Sequence, residues 1–169
     1  MSLIIVEGPD GAGKSTLIQK LSEDLDLPIY SSGKPEGPMQ LMSTMTTLVN
    51  MAKDLDITYL VDRYPAISEP IYSKVLNKKK YFTPDLIDFF LNQEIKVIWC
   101  NLRDRKQMFD NISTDYKPHK PLKHLQEVKE NYYVLCEEYF DFMTKISDKV
   151  DIYQYDWTSD KYKKLKEWF

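Results

Sequence analysis

The most informative part of this chain of 169 residues is the stretch Leu3-Ile4-Ile5-Val6-Glu7-Gly8-Pro9-Asp10-Gly11-Ala12-Gly13-Lys14-Ser15-Thr16. Its first part, residues 3–6, is a continuous apolar run of the kind found in fully buried parallel strands. Leu17, Leu21 and Leu25 follow the stretch at helical spacing. The sequence therefore predicts a strand, a glycine-rich turn and an amphipathic helix from about Lys14 to Leu25.

The turn has the spacing Gly-x-x-x-x-Gly-Lys-Ser, which is that of a phosphate-binding loop. Glycines let the backbone fold around a polyphosphate, and the following helix directs its positive dipole end at the same anion. A bare match can also be a glycine-rich turn with a solvated lysine, but the flanking strand and helix favour the phosphate site. We expect ATP to be held by Gly8, Asp10, Gly11, Ala12, Gly13, Lys14, Ser15 and Thr16.

Within this loop, two side chains have expected roles in phosphate chemistry. Lys14 is expected to reach the β- and γ-phosphates, and the Ser15 hydroxyl to ligate a Mg²⁺ ion that bridges them. The loop thus predicts both the nucleoside triphosphate donor and its metal ion.

Composition limits the class of protein. The length suits a single domain over residues 1–169, and 43% apolar with 29% charged residues is typical of a globular protein. No apolar run approaches the roughly 20 residues of a membrane span, and no basic leader precedes the first strand. Cys100 and Cys136 have no metal-ligand spacing, which favours reduced core thiols. We expect a cytoplasmic protein of a bacterial cell or a phage-infected host, with no membrane partner.

Only three of the 23 basic residues are arginines, namely Arg63, Arg103 and Arg105. Arginine is the preferred residue for bidentate phosphate recognition, so each of the three is a candidate site residue. Arg103 and Arg105 are expected either to reach the donor adenine or its phosphates, or to be surface residues at a helix start. The net charge of −3 gives no general attraction to nucleic acid.

Further strands and helices alternate along the chain. Strands are predicted at Leu27–Ser31, Ile57–Val61, Ile95–Leu102 and Val150–Tyr155. Helices are predicted at Pro38–Leu55, Pro65–Asn77, Leu86–Asn92 with Thr83 as N-cap, Arg103–Ile112, Leu125–Ile146 and Asp160–Trp168. Residues Ser113–Lys123 lack apolar periodicity and are predicted to be a mobile loop.

This alternation predicts an α/β protein with a five-stranded parallel sheet between two layers of helices. Ligands of such sheets bind outside the carboxyl ends of the strands. The polar clusters of this sequence fall at those ends, at Gly8–Ser15, Ser31–Lys34, Asp62–Tyr64, Asn101–Arg105 and Asp156–Thr158.

Asp62 and Arg63 follow the third predicted strand directly. An acid at this place in phosphate-loop enzymes holds magnesium, usually through water, although an aspartate at a strand end can also be a turn former. Arg63 is suited to clamp an acceptor phosphate or another anionic group. Its alternative role is a structural salt bridge with Glu7 or Asp10.

Together, Glu7–Thr16 and Asp62-Arg63-Tyr64 resemble the thymidylate kinase family, whose loop reads E-G-x-D-G-A-G-K-S/T-T and whose third strand ends in D-R-Y/H. The resemblance implies a P-loop kinase fold with a short lid at about 113–123, and ATP- and Mg²⁺-dependent transfer to a deoxynucleoside monophosphate. Family members commonly form dimers, so a homodimer is possible.

The same resemblance implies roles for acceptor-side residues. Asp10 would contact the deoxyribose hydroxyl or help position magnesium, and Arg63 would hold the acceptor phosphate. Tyr64 would shape the acceptor pocket and Ser68 would contact the base. Tyr72 lies one residue away from the position of a family tyrosine that packs on the sugar.

The sequence also departs from the family pattern on the acceptor side. Lys34 stands in place of a family arginine, and the predicted lid lacks arginine. A rival is therefore the phage branch of the family, which phosphorylates 5-hydroxymethyluracil bases in DNA.

A kinase of that branch acts on a hydroxyl, so it would use a general base, for which Glu7, Asp10 and Asp62 are the candidates. The lysines at 78–80 and 117–123 would then contact DNA phosphates, although a charge run is by default a solvated surface. A third possibility, from a different class, is a non-catalytic nucleotide-binding regulator.

Overall fold

A computed structural model describes residues 3–31, 37–54, 57–114, 122–159 and 161–169. Its strands are β1 Leu3–Glu7, β2 Ile29–Ser31, β3 Tyr59–Asp62, β4 Ile95–Cys100 and β5 Asp151–Tyr155. Its α-helices are α1 Lys14–Leu25, α2 Pro38–Asp54, α3 Pro65–Val75, α4 Pro84–Leu91, α5 Arg105–Thr114, α6 Leu122–Glu130, α7 Tyr132–Ile146 and α8 Tyr162–Trp168, and a 3₁₀ turn covers Trp157–Ser159.

The five strands form one parallel sheet in the order β2-β3-β1-β4-β5, which confirms the predicted α/β architecture. β1 is central, with Ile5 opposite Val61 of β3 on one side and Val97 of β4 on the other. All five side chains of β1 are buried. Because successive side chains of a strand point to opposite faces, helices must cover both faces of the sheet.

Helix α1 has the predicted bounds, since it begins directly after Gly13 and ends at Leu25. The N-cap prediction for α4 is also confirmed, because the Thr83 hydroxyl accepts a hydrogen bond of 3.4 Å from the amide of Leu86. Pro84 occupies the first helical turn, where its missing N–H is not needed. Local sequence chemistry is sufficient for both helix starts.

The predicted long helix Leu125–Ile146 is wrong as a single element. The structure contains two helices, α6 and α7, that meet at Asn131, whose φ and ψ of −108° and 16° are not helical. The Asn131 side chain donates a hydrogen bond of 2.9 Å to the carbonyl of Glu127, four residues earlier. Such a side-chain bond competes with the helical backbone pattern, and no glycine or proline marks the break in the sequence.

The predicted loop over Ser113–Lys123 is shorter than expected, since α5 extends to Thr114 and α6 begins at Leu122. The rest of the predicted lid, residues 115–121, lies outside the described residues, as does Lys34. In the described part of the chain, no helix combines the length and apolar character needed to cross a membrane.

Candidate phosphate-binding site

The loop between β1 and α1 needs glycine for two reasons. Gly8, Gly11 and Gly13 have φ values of 146°, 79° and 80°, which L-residues with side chains rarely adopt. A Cβ atom on Gly8 would also lie 2.2 Å from the Cys100 carbonyl oxygen, and one on Gly11 would lie 2.0 Å from that of Met108. The loop therefore packs closely on the end of β4 and on α5.

Lys14 begins α1 and is buried, with 7% of its surface exposed. Its Nζ atom donates a hydrogen bond of 2.6 Å to the carbonyl of Pro9, across the loop. Burial lowers the pKa of Lys14 to about 8, and the nearby charge of Arg63 acts in the same direction. At neutral pH the lysine still carries its charge, so it can attract a phosphate group to the loop.

Arg63 follows β3 and adopts a left-handed conformation, with a φ of 67°. Its guanidinium donates to Asp10 Oδ1 at 2.8 Å, to the Tyr72 hydroxyl at 3.1 Å and to the Tyr139 hydroxyl at 3.3 Å. The Tyr72 hydroxyl in turn donates to Asp10 Oδ2 at 2.7 Å. Together, Asp10, Arg63, Tyr72 and Tyr139 form what we call the arginine cluster, next to the phosphate loop.

Glu7, the last residue of β1, is completely buried. Its carboxylate accepts hydrogen bonds from the amide of Tyr64 at 2.5 Å, from the amide of Gly8 at 3.2 Å and from the Tyr139 hydroxyl at 3.2 Å. Burial raises the pKa of Glu7, while the charge of Arg63 opposes this shift. Glu7 thus joins β1, β3 and α7, and its burial argues against the predicted role as a general base.

The residues expected to hold Mg²⁺ are Ser15 and Asp62. Ser15 lies in the first turn of α1 and is exposed, and Asp62 is the last residue of β3, opposite Val6 of β1. One hydroxyl and one carboxylate fit this ion, because Mg²⁺ keeps several waters and takes further ligands from substrate phosphates. Among the described residues, no group of three or more metal-binding side chains forms a site of its own.

The residues predicted to bind the acceptor, Tyr64, Ser68 and Tyr72, lie in different surroundings in the structure. Tyr72 lies in the arginine cluster. The Tyr64 side chain is fully buried, with its hydroxyl 3.4 Å from the Phe90 carbonyl, so it contributes to the site through its backbone contact with Glu7. Ser68 is one helical turn into α3, and its hydroxyl donates to the Tyr64 carbonyl at 3.3 Å.

The two other arginines lie near the loop that follows β4. The backbone amide of Arg103 donates to Asp156 Oδ2 at 3.4 Å, and the Arg103 side chain is exposed. Arg105 forms a surface ion pair of 3.5 Å with Glu137 of α7. Beside them, the half-exposed indole of Trp157 lies against the loop, since a Cβ on Gly13 would be 3.0 Å from its Cδ1 atom.

Three residues of this site were not predicted from the sequence, namely Asn111, Tyr132 and Tyr139. The Asn111 side chain donates to the Gly11 carbonyl, and the hydroxyls of Tyr132 and Tyr139 bind Asp10 and Glu7. The only sequence signal is the seven-residue spacing of the two tyrosines, which puts them on one face of a helix. That spacing is equally typical of core positions.

Known proteins share this fold at low sequence identity. No protein-family model and no curated protein sequence matches the chain. The YorR protein of Bacillus subtilis, in a crystal structure with phosphorylated GDP, is 22% identical, with a TM-score of 0.65 over 92% of this chain and 85% of that chain.

A deoxyadenosine kinase of M. mycoides with bound dATP is 21% identical, with a TM-score of 0.63 over 91% of this chain and 90% of that chain. The same kinase with dCMP and dCDP gives 19% identity and a TM-score of 0.59 over 91% of this chain and 89% of that chain. The chain therefore has the fold of YorR and of this deoxyadenosine kinase.

Proposed function

We propose that this chain is a phosphotransferase that moves the γ-phosphoryl group of ATP to a deoxynucleoside 5′-monophosphate. The observation that carries the proposal is the contact between the phosphate loop and the arginine cluster, in which Arg63 lies 2.8 Å from Asp10 of the loop itself. Transfer of a phosphoryl group needs a second, anionic substrate beside the triphosphate. A cationic group next to the loop is suited to hold that substrate.

In this reaction an acceptor phosphate oxygen forms a bond to the γ-phosphorus while the bond to the β–γ bridging oxygen breaks, and ADP leaves. Catalysis of such transfers consists mainly of positioning and charge neutralisation. Loop amides and Lys14 would hold the donor, and Arg63 would hold the acceptor. Bound Mg²⁺ would neutralise the donor phosphates, with Ser15 and Asp62 as the protein groups on its side of the loop.

The fold supports a nucleotide kinase, and the deoxyadenosine kinase among the neighbours supports a deoxynucleotide substrate. The M. mycoides enzyme has structures with dATP and with dCMP, and YorR was crystallised with phosphorylated GDP. Together with the motif resemblance to thymidylate kinases, the deoxynucleotides bound to the M. mycoides enzyme favour a deoxynucleoside or its monophosphate as the acceptor, whereas the YorR ligand supports nucleotide binding alone.

A deoxynucleoside acceptor is the second candidate, and one observation favours it. Asp10 already offsets the charge of Arg63, so the cluster has less attraction for a phosphate dianion than a free arginine would have. For a hydroxyl acceptor, the proton would pass to Asp10, the carboxylate of the arginine cluster. A hydroxymethyluracil base in DNA belongs to the same chemical class of acceptor.

The DNA acceptor receives little support from the lysines at 78–80. Lys78 forms an ion pair of 2.9 Å with Glu127 of α6, so one of these three lysines is already paired with a carboxylate of the same chain. In a non-catalytic regulator the arginine cluster would serve stability alone, whereas in a kinase the Arg63 cation would also hold the acceptor, which favours the kinase.

The test is phosphate transfer from radiolabelled ATP to three kinds of acceptor, namely deoxynucleosides, deoxynucleoside monophosphates and DNA that contains hydroxymethyluracil. Label in monophosphates supports the first proposal, and label only in nucleosides or only in DNA selects the corresponding alternative. Binding of ATP without transfer to any acceptor would instead indicate a regulator.

A further inference from the structure

The carbonyl groups of three consecutive loop residues each accept a hydrogen bond from a different helix. Lys14 Nζ of α1 donates to the Pro9 carbonyl at 2.6 Å. The Tyr132 hydroxyl of α7 donates to the Asp10 carbonyl at 2.8 Å, and Asn111 Nδ2 of α5 donates to the Gly11 carbonyl at 3.1 Å. Two of these donors, Tyr132 and Asn111, lie 122 and 100 positions away from the loop residues that they bind, whereas Lys14 belongs to the loop motif itself.

This arrangement decides where the loop amides point. A trans peptide bond directs its carbonyl and the next N–H to opposite sides, and the described chain contains no cis peptide bond. With the carbonyls of Asp10 and Gly11 turned toward α7 and α5, the amides of Gly11 and Ala12 are turned toward the inside of the loop. The Ala12 amide donates a hydrogen bond of 3.4 Å to the Pro9 carbonyl, which closes a turn over residues 9–12.

The two distant donors are themselves held in place. The Tyr132 ring is buried and packs on Phe109 of α5, with ring centroids 5.6 Å apart. Burial also raises the pKa of Tyr132, which favours the protonated hydroxyl that donates this hydrogen bond. Asn111 lies one helical turn from Met108, whose carbonyl is the atom closest to a Cβ added at Gly11.

We infer that Tyr132 and Asn111 are positioning residues of the phosphate-binding loop. They fix the direction of the loop amides before a polyphosphate binds. The free energy needed to order the loop is therefore not subtracted from the binding free energy. The inference rests on the proposed nucleotide-binding function of the loop. It concerns the phosphates alone, because both residues contact the loop backbone rather than the arginine cluster side chains.

The experiment compares Tyr132→Phe and Asn111→Leu with the wild type in calorimetric binding of inorganic tripolyphosphate and of ATP. Tyr133→Phe is the matched control for the first variant, since Tyr133 is the next residue of α7 and is 55% exposed. Asn50→Leu, at an exposed position of α2, is the control for the second. Thermal unfolding verifies that each variant is folded, and Tyr132→Phe retains the packing on Phe109.

We expect each test variant to have a lower affinity for tripolyphosphate and for ATP by the same factor, about 3- to 10-fold, which corresponds to the loss of one hydrogen bond. In turnover, KM for ATP rises while KM for the acceptor stays unchanged, and the two control variants behave as the wild type. Equal tripolyphosphate affinity for wild type and both test variants would overturn the inference.

The proposed function has a separate readout in the same experiment. If the wild type binds tripolyphosphate and the test variants weaken it, but no acceptor is phosphorylated, the kinase proposal is wrong and the positioning role stands. If the wild type binds neither tripolyphosphate nor ATP, both are wrong.

Discussion

Arg63 and Asp10 form an ion pair of 2.8 Å that joins the end of β3 to the phosphate loop. Arg63 adopts the left-handed conformation that usually favours glycine, and its amide is tied to the Val6 carbonyl at 3.2 Å. Such a backbone conformation costs about 1–3 kcal/mol and is found mainly at functional sites, where surrounding contacts hold it. The pair therefore links the donor and acceptor halves of the proposed site.

Replacing Arg63 should destabilise the protein strongly. Arg63→Met leaves the carboxylates of Asp10 and Glu7 in a buried region without their cation, and we expect the free energy of unfolding to fall by about 3 kcal/mol. Urea unfolding at neutral pH measures this loss. Arg105→Met is the control, because its ion pair with Glu137 is on the surface, and it should change the free energy by less than about 1 kcal/mol. Equal losses would show that the cluster adds no stability.

Lys14 should be essential for phosphate transfer and dispensable for folding. In Lys14→Met we expect kcat to fall by at least about 100-fold, because a charged donor to the transferred group is lost. The unfolding midpoint should be at or above that of the wild type, since the buried charge is unfavourable in the native state. Steady-state kinetics and thermal unfolding measure the two effects. Lys163→Met, at an exposed position of α8, should retain wild-type turnover, and an active Lys14→Met would contradict the proposal.

The affinity for ATP should decrease above pH 8. Lys14 has a pKa of about 8 in the free protein, and bound phosphates must raise it, so binding above pH 8 takes up a proton. The dissociation constant should then increase by up to about 10-fold per pH unit, while below pH 7 Lys14 contributes no slope. Calorimetry in buffers of different ionisation enthalpy measures the number of protons that the protein takes up when ATP binds. The Lys14→Arg variant should lose this pH dependence, and a persisting slope would assign it to another group.

Unfolding should show the complementary dependence on pH. Because the pKa of Lys14 is below its ordinary value of 10.5, the unfolded chain binds more protons between about pH 8 and 10.5. The contribution of this residue to stability therefore increases as the pH rises through that window. The unfolding free energy of the wild type minus that of Lys14→Met should therefore be higher at pH 10 than at pH 7. A lower value at pH 10 would contradict this prediction.

Substitution by alanine should be far more damaging at Gly11 than at Gly37. In Gly11→Ala the new Cβ meets the Met108 carbonyl at 2.0 Å and φ is 79°, so the loop must shift and ATP affinity should be lost. We expect the unfolding free energy to fall by about 2 kcal/mol or more. In Gly37→Ala no atom lies within 4 Å of the new Cβ, and the change should be below about 1 kcal/mol. Retained ATP binding in Gly11→Ala would contradict this account of the loop.

Local sequence patterns were sufficient to predict the order of the strands and of most helices, the glycine-rich loop and the start of α1. These features depend on local chemistry, namely apolar runs, the glycine spacing and the N-cap at Thr83, which neighbouring residues specify. The sequence also placed Asp62 and Arg63 at the end of β3, because parallel strands present their carboxyl ends at one edge. The break at Asn131 was missed because no glycine or proline marks it, and the Asn131 side chain shares the Glu127 carbonyl with its own backbone amide.

Tertiary structure alone decided how the site is held together. Arg63 joins Asp10 across 53 positions of sequence, and Tyr132 reaches the Asp10 carbonyl across 122. No local pattern encodes such contacts, since they depend on how α3, α5 and α7 pack around the end of β1. For the same reason the burial of Glu7 and Tyr64, which changes their expected roles, became visible only in the folded chain.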